Sequence, residues 1–175
     1  MDRALTFGNE KGRGYLYDPD TPAPRLVLME TDYLSPAPNK PNRGLFLKHA
    51  TGGEILTPYA GFEVYVVSKQ DVTAEQAAYL ITLESGAGRC IEGLRQPRVG
   101  FGVGSFLNHS SSPNCEIITN PFPLTSGQTH LRAPGAWIRA KHDVGAAGET
   151  TKYTEITVSY GRHYWDRIAD GNSES

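Results

Sequence analysis

The chain has 175 residues, with 17 Lys and Arg against 19 Asp and Glu and a formal net charge of −2. That is a length for one domain, which buries roughly 70% of its unfolded surface and so needs neither disulfides nor a metal to build a core. The balanced charge excludes the broad basic face that phosphate-driven nucleic-acid binding uses, and it leaves room for a basic partner such as a Lys-rich peptide. Glycine (19) and proline (12) are in excess of average usage, which favours turns and short strands over a helical bundle.

Only two cysteines are present, Cys90 and Cys115. They are too few for a zinc site of three or four thiolates, and they give no disulfide framework, so no metal is expected. The N-terminus, Met1-Asp2-Arg3-Ala4-Leu5-Thr6, has no apolar signal core, and no apolar run of about 18 residues exists. The expectation is a soluble protein of a reducing intracellular compartment, with no membrane partner.

In chain order, residues 17–24 and 35–41 are Pro-rich and read as loops, because Pro lacks the ladder donor and biases its predecessor away from helix. Between them, Arg25 to Glu30 is a buried-strand candidate. Gly44 to Leu47 and Glu54 to Tyr59 read as two strands around a turn at Thr51-Gly52-Gly53. Phe62 to Val67 is a further β-branched and aromatic run. Thr73 to Ala78 is helix-like for a turn or two, with Thr73 as N-cap and Gln76 at the capping-box position. Tyr79 to Leu83, Arg89 to Glu92, Cys115 to Thr119, His130 to Arg132, Trp137 to Ala140 and Ile156 to Tyr160 are further strands. Arg162 to Ile168 reads as a short helix, and residues 170–175 as a frayed end. The pattern predicts a mainly β domain with little helix.

The stretch from Gly100 to Cys115 is turn-rich yet flanked by apolar residues, which predicts that it lies across the core. Its Gly100/Gly102/Gly104 pattern lacks the Lys-Ser/Thr and the following helix of a phosphate loop. Cys115 with His109 and Asn108 fits a thiol nucleophile poorly, because nothing nearby activates the sulfur. A structural loop, with Asn108 and His109 bonding backbone groups, is the plainer reading.

Three segments together resemble the SET domain of protein lysine methyltransferases. Asn42-Arg43-Gly44-Leu45-Phe46, followed by Gly53-Glu54-Ile55-Leu56-Thr57-Pro58-Tyr59-Ala60-Gly61, is similar to the opening motif. Phe106-Leu107-Asn108-His109-Ser110-Ser111-Ser112-Pro113-Asn114-Cys115 is similar to the Asn-His motif, and Glu155-Ile156-Thr157-Val158-Ser159-Tyr160-Gly161 to the closing motif. Order and approximate spacing hold over residues 42–161. The chain departs from the pattern at Asn42, which replaces a glycine, and at Phe62, which stands where a Glu usually follows. Ser105 and Ser111 replace a common Arg and Cys.

The resemblance implies a SET-domain fold of several small β-sheets with a C-terminal pseudoknot. It implies a domain over 42–161, a flanking segment over 1–41 and a closing segment over 162–175. The implied activity is transfer of a methyl group from S-adenosylmethionine to a lysine side chain, with a histone tail as substrate, in the nucleus or on chromatin; a non-catalytic SET-like binding module is the alternative. Tyr160 matches the catalytic tyrosine. Arg43, Gly44, Asn108 and His109 match cofactor-binding positions, Gly44 through close backbone approach. Tyr59 and Phe106 carry over as substrate-pocket residues. Many relatives close the site with a Cys-rich zinc loop; no cysteine follows Cys115, so Tyr164 and Trp165 are the candidates to cover the cofactor.

Overall fold

The computed structural model describes residues 16–20, 24–31, 42–68, 72–83, 88–119, 135–146, 148 and 151–161. The expected strand at His130 to Arg132, the helix at Arg162 to Ile168, and Tyr164 and Trp165 lie outside the described residues.

Strand-forming runs become β1 (Leu26–Glu30), β2 (Arg43–Leu47), β3 (Ile55–Pro58), β4 (Gly61–Tyr65), β5 (Leu80–Thr82), β6 (Arg89–Gly93), β7 (Asn108–His109), β8 (Cys115–Thr119), β9 (Ala136–Ala140) and β10 (Thr154–Val158). Among the described residues one short helix, α1 (Ala74–Ala77), joins them, together with a 3-10 turn at Gly104–Phe106. The helix starts as its sequence predicts. Gln76 N–H donates to Thr73 Oγ1 at 3.1 Å, and Thr73 N–H donates to Gln76 Oε1 at 2.9 Å, a reciprocal capping box.

Among the described residues the strands form three small sheets, ordered β1-β2-β10-β7, β3-β9-β8 and β4-β6-β5. All pairings are antiparallel except β10 with β7, where Thr157 lies beside Asn108 and Val158 beside His109 in parallel. The mainly β architecture of several small sheets is the class expected from the sequence. Leu45 of β2 faces Ile156 of β10 in register, and both are fully buried. Burying each such side chain contributes roughly 1.5–3 kcal/mol. β9 is the middle strand of its sheet, and Trp137 and Ile138, which point to opposite faces, are both buried.

The two strands expected around Thr51-Gly52-Gly53 form as β2 and β3, but they do not pair with each other. The turn exists, closed by Glu54 N–H donating to Thr51 O at 3.0 Å, but its two strands part. β2 pairs with β1 and β10, whereas β3 pairs with β9. The apolar pattern specifies which face is buried, not which partner a strand takes. β1 is also less buried than expected: it is an edge strand with Met29 38% exposed and Glu30 exposed. What ties its start down is Arg25, whose guanidinium makes a two-pronged contact with Glu54 at 2.7 and 2.8 Å. The last strand begins two residues earlier than expected and ends at Val158, leaving Ser159 and Tyr160 beyond it.

The stretch from Gly100 crosses the core as predicted, with Val103 2%, Ser105 8% and Leu107 3% exposed. Val103 N–H donates to the buried Thr57 Oγ1 at 3.0 Å. Gly102 is required by this crossing, since a Cβ there would stand 2.2 Å from Pro58 O. Gly104 is crowded likewise by Ile138 and Pro58, whereas Gly100 has a positive φ of 81° and nothing within 4 Å of its Cβ position.

The loop between β7 and β8 straddles β10. Ser110 N–H donates to Val158 O at 3.0 Å. At its far end Asn114 Nδ2 donates to Glu155 O at 2.9 Å, and Asn114 Oδ1 accepts from Thr157 N–H at 2.8 Å. The Asn114 amide thus takes the place of a neighbouring strand, bonding backbone groups on both sides of Ile156.

Candidate functional site

Three chain segments distant in sequence meet where β2, β7 and the end of β10 come together. β10 is the common member, because its first half pairs with β2 and its last residues with β7. Arg43 therefore enters from β2, Asn108 and His109 from β7, and Tyr160 from the turn after β10.

Tyr160 is held at three points. Its N–H donates to His109 Nδ1 at 3.2 Å, and its hydroxyl donates to Leu107 O at 2.5 Å. The two rings lie 5.4 Å apart between centroids and tilted by 45°. Because Nδ1 accepts, His109 carries its ring proton on Nε2. Because the Tyr160 hydroxyl spends its only proton on Leu107 O, its oxygen can act toward a further group only as an acceptor. An oxygen limited to accepting favours a cationic or N–H-bearing neighbour.

Asn108 is the centre of a second, polar knot. Its Nδ2 donates to Arg43 O at 3.2 Å and to Glu155 Oε1 at 2.9 Å. Its Oδ1 accepts from Asn42 Nδ2 at 3.3 Å. The second carboxylate oxygen of Glu155 accepts from Thr31 Oγ1 at 2.7 Å. Gly44 is buried beneath this carboxylate, and a Cβ on it would stand 2.2 Å from Glu155 Oε1 and 3.0 Å from Asn108 Nδ2. The space a Cβ at 44 would take is thus occupied by the end of the Glu155 side chain.

Of the residues singled out from sequence, the structure brings together Arg43, Gly44, Asn108, His109 and Tyr160. Tyr59 sits elsewhere in its bonding: it is 5% exposed, and its hydroxyl donates to Tyr79 O at 2.9 Å, tight against Gly93. Phe106 is half-buried against the core at the end of the 3-10 turn. Sequence reasoning passed over Thr31 and Glu155. Glu155 heads the closing motif and was open to notice; Thr31 carries no local signal, since its partner is 124 residues away.

Cys115 is fully buried, and burial, helped by the negative charge of Glu116, pushes its thiol up to about 12. The thiolate is the nucleophile, so this sulfur is inert, which closes the thiol-nucleophile reading. Among the described residues no group of three or more His, Cys, Asp and Glu could hold a metal ion, and no helix is long and apolar enough to cross a membrane.

The order and spacing of the three motifs resemble those of the SET domain. No family model matches the chain. Over 116 residues the chain is 32% identical to a Caenorhabditis elegans protein described as probable histone-lysine N-methyltransferase set-23, a match that covers 62% of this chain and 41% of that protein. The match thus spans less than half of the relative's length. A solved Plasmodium falciparum chain, described as a "putative histone methyltransferase", is 16% identical with a TM-score of 0.49, over 81% of this chain and 96% of that one.

Proposed function

We propose that the chain is a protein lysine N-methyltransferase that takes its methyl group from S-adenosylmethionine and acts on a lysine of a histone tail, in the nucleus or on chromatin. The observation that carries this reading is the pinned Tyr160, an oxygen restricted to accepting beside His109. Around it the chain offers acceptors, namely the Tyr160 hydroxyl and Asn108 Oδ1, with the exposed Arg43 alongside. That set suits a molecule with a sulfonium, an ammonium and a carboxylate. When bound, S-adenosylmethionine supplies a methyl group made electrophilic by the sulfonium charge.

In this reading Tyr160 orients a neutral substrate amine through its hydroxyl oxygen, and the catalytic gain comes from positioning and from dipoles fixed before reaction. His109 keeps the Tyr160 backbone in place, and Leu107 O keeps the hydroxyl's lone pairs turned outward. Arg43, Gly44, Asn108 and His109 line the cofactor side. Phe106 and Tyr59 are proposed to shape the lysine channel, and Tyr164 and Trp165 to cover the adenine. The test is transfer of a radiolabelled methyl group to mixed core histones. Label on a histone lysine that disappears in Tyr160→Phe supports the reading. Ligand binding with no transfer to any protein would leave a binding module instead.

A further inference from the structure

The β4-β6-β5 sheet ends, on its β4 side, in an edge that no strand covers among the described residues. Three large side chains on this edge stand in solvent: Phe62 is 61% exposed, Tyr65 68% and Val67 93%. Proteins usually blunt an edge with shortness, Pro, Lys or a bulge. Of the other edge strands, β5 and β7 are three and two residues long, and β3 carries Pro58 and a shift of register against β9. β4 has none of these devices. It runs in unbroken register with β6, it holds no Pro or Lys, and its one charge, Glu63, is taken up by Arg89 at 2.8 and 3.1 Å. We propose that the β4 edge receives a second copy of this chain, paired antiparallel about a two-fold axis through Val64, so that the two three-stranded sheets join into one.

The register follows from the backbone. Leu94 N–H donates to Ala60 O at 3.0 Å and Val66 N–H to Gly88 O at 2.7 Å, so the even-numbered residues over 60–66 turn their peptide groups toward β6. Gly61, Glu63, Tyr65 and Val67 therefore present theirs to the open edge. Two copies can bond only where such residues face each other. An axis through Glu63 would set two carboxylates opposite one another, which is repulsive, and an axis through Tyr65 would set Phe62 against the copy's Ser68. An axis through Val64 sets Glu63 against the copy's Tyr65, Gly61 against its Val67, Phe62 against its Val66, and Val64 against itself. No like charges are opposed. Within the chain the Tyr65 hydroxyl donates to Glu63 Oε1 at 3.3 Å, so the two groups that would face each other across the axis are already compatible. An edge that is complementary to itself at every facing pair is the signature of a two-fold interface, and it selects a copy of the chain over an unrelated strand.

Residues 61–67 bury less than the roughly 1,600 Å2 of a standard stable interface, so the dimer forms at micromolar and not nanomolar concentration. Arg43, Asn108, His109 and Tyr160 all lie off β4, so association is read without reference to methyl transfer. The experiment is sedimentation velocity on the full chain from about 1 to 300 μM, a range that brackets micromolar affinity. The mass of wild type should rise from one chain to two and stop there, because the pairing uses up both β4 edges. Tyr65→Pro removes an outward N–H while sparing the bonds to β6, and Phe62→Lys sets a cation against the copy's Val66. Each should weaken association by about tenfold or more, with a melting temperature close to that of wild type. Wild type that stays a single chain throughout, or a dimer that both substitutions leave unchanged, overturns the proposal, as does growth past two chains. Should neither variant fold, amide hydrogen exchange in wild type decides: slowing of the Glu63 and Tyr65 N–H groups as concentration rises supports the proposal, and rates independent of concentration overturn it.

Discussion

The β3-β9-β8 sheet and the junction of β2, β7 and β10 stand side by side and are held by different forces. In the first, Leu56, Trp137, Ile138 and Cys115 are almost wholly buried, and contact between apolar surfaces does the holding. In the second, the decisive contacts are side chain to backbone or side chain to side chain: Asn114 on β10, Asn108 on Arg43 and Glu155, Tyr160 on Leu107 and His109. Apolar packing is tolerant of direction, whereas a hydrogen bond fixes both distance and angle. A site that must aim lone pairs is therefore built from the second kind of contact and leans on the first for stability.

The comparison is sharpened by substitutions on either side. Ile138→Ala should cost about 3–4 kcal/mol in a chemical denaturation midpoint, as deletions from a close-packed core do, and should leave ligand affinity unchanged wherever the protein remains folded. Tyr160→Phe should do the reverse. Melting should be nearly that of wild type, while turnover falls on the order of a hundredfold, equivalent to about 2.7 kcal/mol on the barrier. Wild-type turnover in that variant would remove Tyr160 from the chemistry. The wild-type rate should also rise with pH toward 9 or so, because a lysine of reference pKa near 10.4 must shed its proton before attack.

Asn114→Ala lies between the two regions. It unpairs Glu155 O and Thr157 N–H on β10, so about 2 kcal/mol of stability should be lost and cofactor affinity should fall with it, read by calorimetry against melting. The smallest effect concerns Cys115. Its folded pKa, pushed up to about 12, exceeds the unfolded value, so the folded state gives up its proton later than the unfolded one. The thiol's contribution to stability is then complete below about pH 9 and lost as pH rises toward 12. The stability difference between wild type and Cys115→Ala should shrink by about 1 kcal/mol between pH 8 and 10, measured by urea unfolding.

Strand positions were legible where alternation and turn residues agree, as in β6, β8 and β9, and the capping box gave α1. Strand partners were not legible. Nothing local tells β2 that it lies against β10 rather than β3, because that choice is made by residues more than 100 positions away. The site divides in the same way. Arg43, Asn108, His109 and Tyr160 stood out through motif resemblance, and the structure brings them together. Thr31 escaped because one hydroxyl in a flanking segment has no pattern to announce it. Gly44 was noticed for close approach to a ligand, yet the atom that approaches it is Glu155 Oε1.

The pairing of β10 with both β2 and β7 also bears on how the protein is made. The contacts of Asn108 and Asn114 with β10, and those of Tyr160 with Leu107 and His109, join the end of the described chain to its middle. During synthesis, a nascent chain complete through residue 153 carries β1 to β9 but none of the β10 contacts. Closing so long a loop is slow relative to local structure. Until β10 arrives, the hydrogen-bonding edge of β2 and the amides of Asn108 and Asn114 stand without the strand they are shaped to receive. This is the interval in which a chaperone, or a misplaced strand from another chain, has its opening.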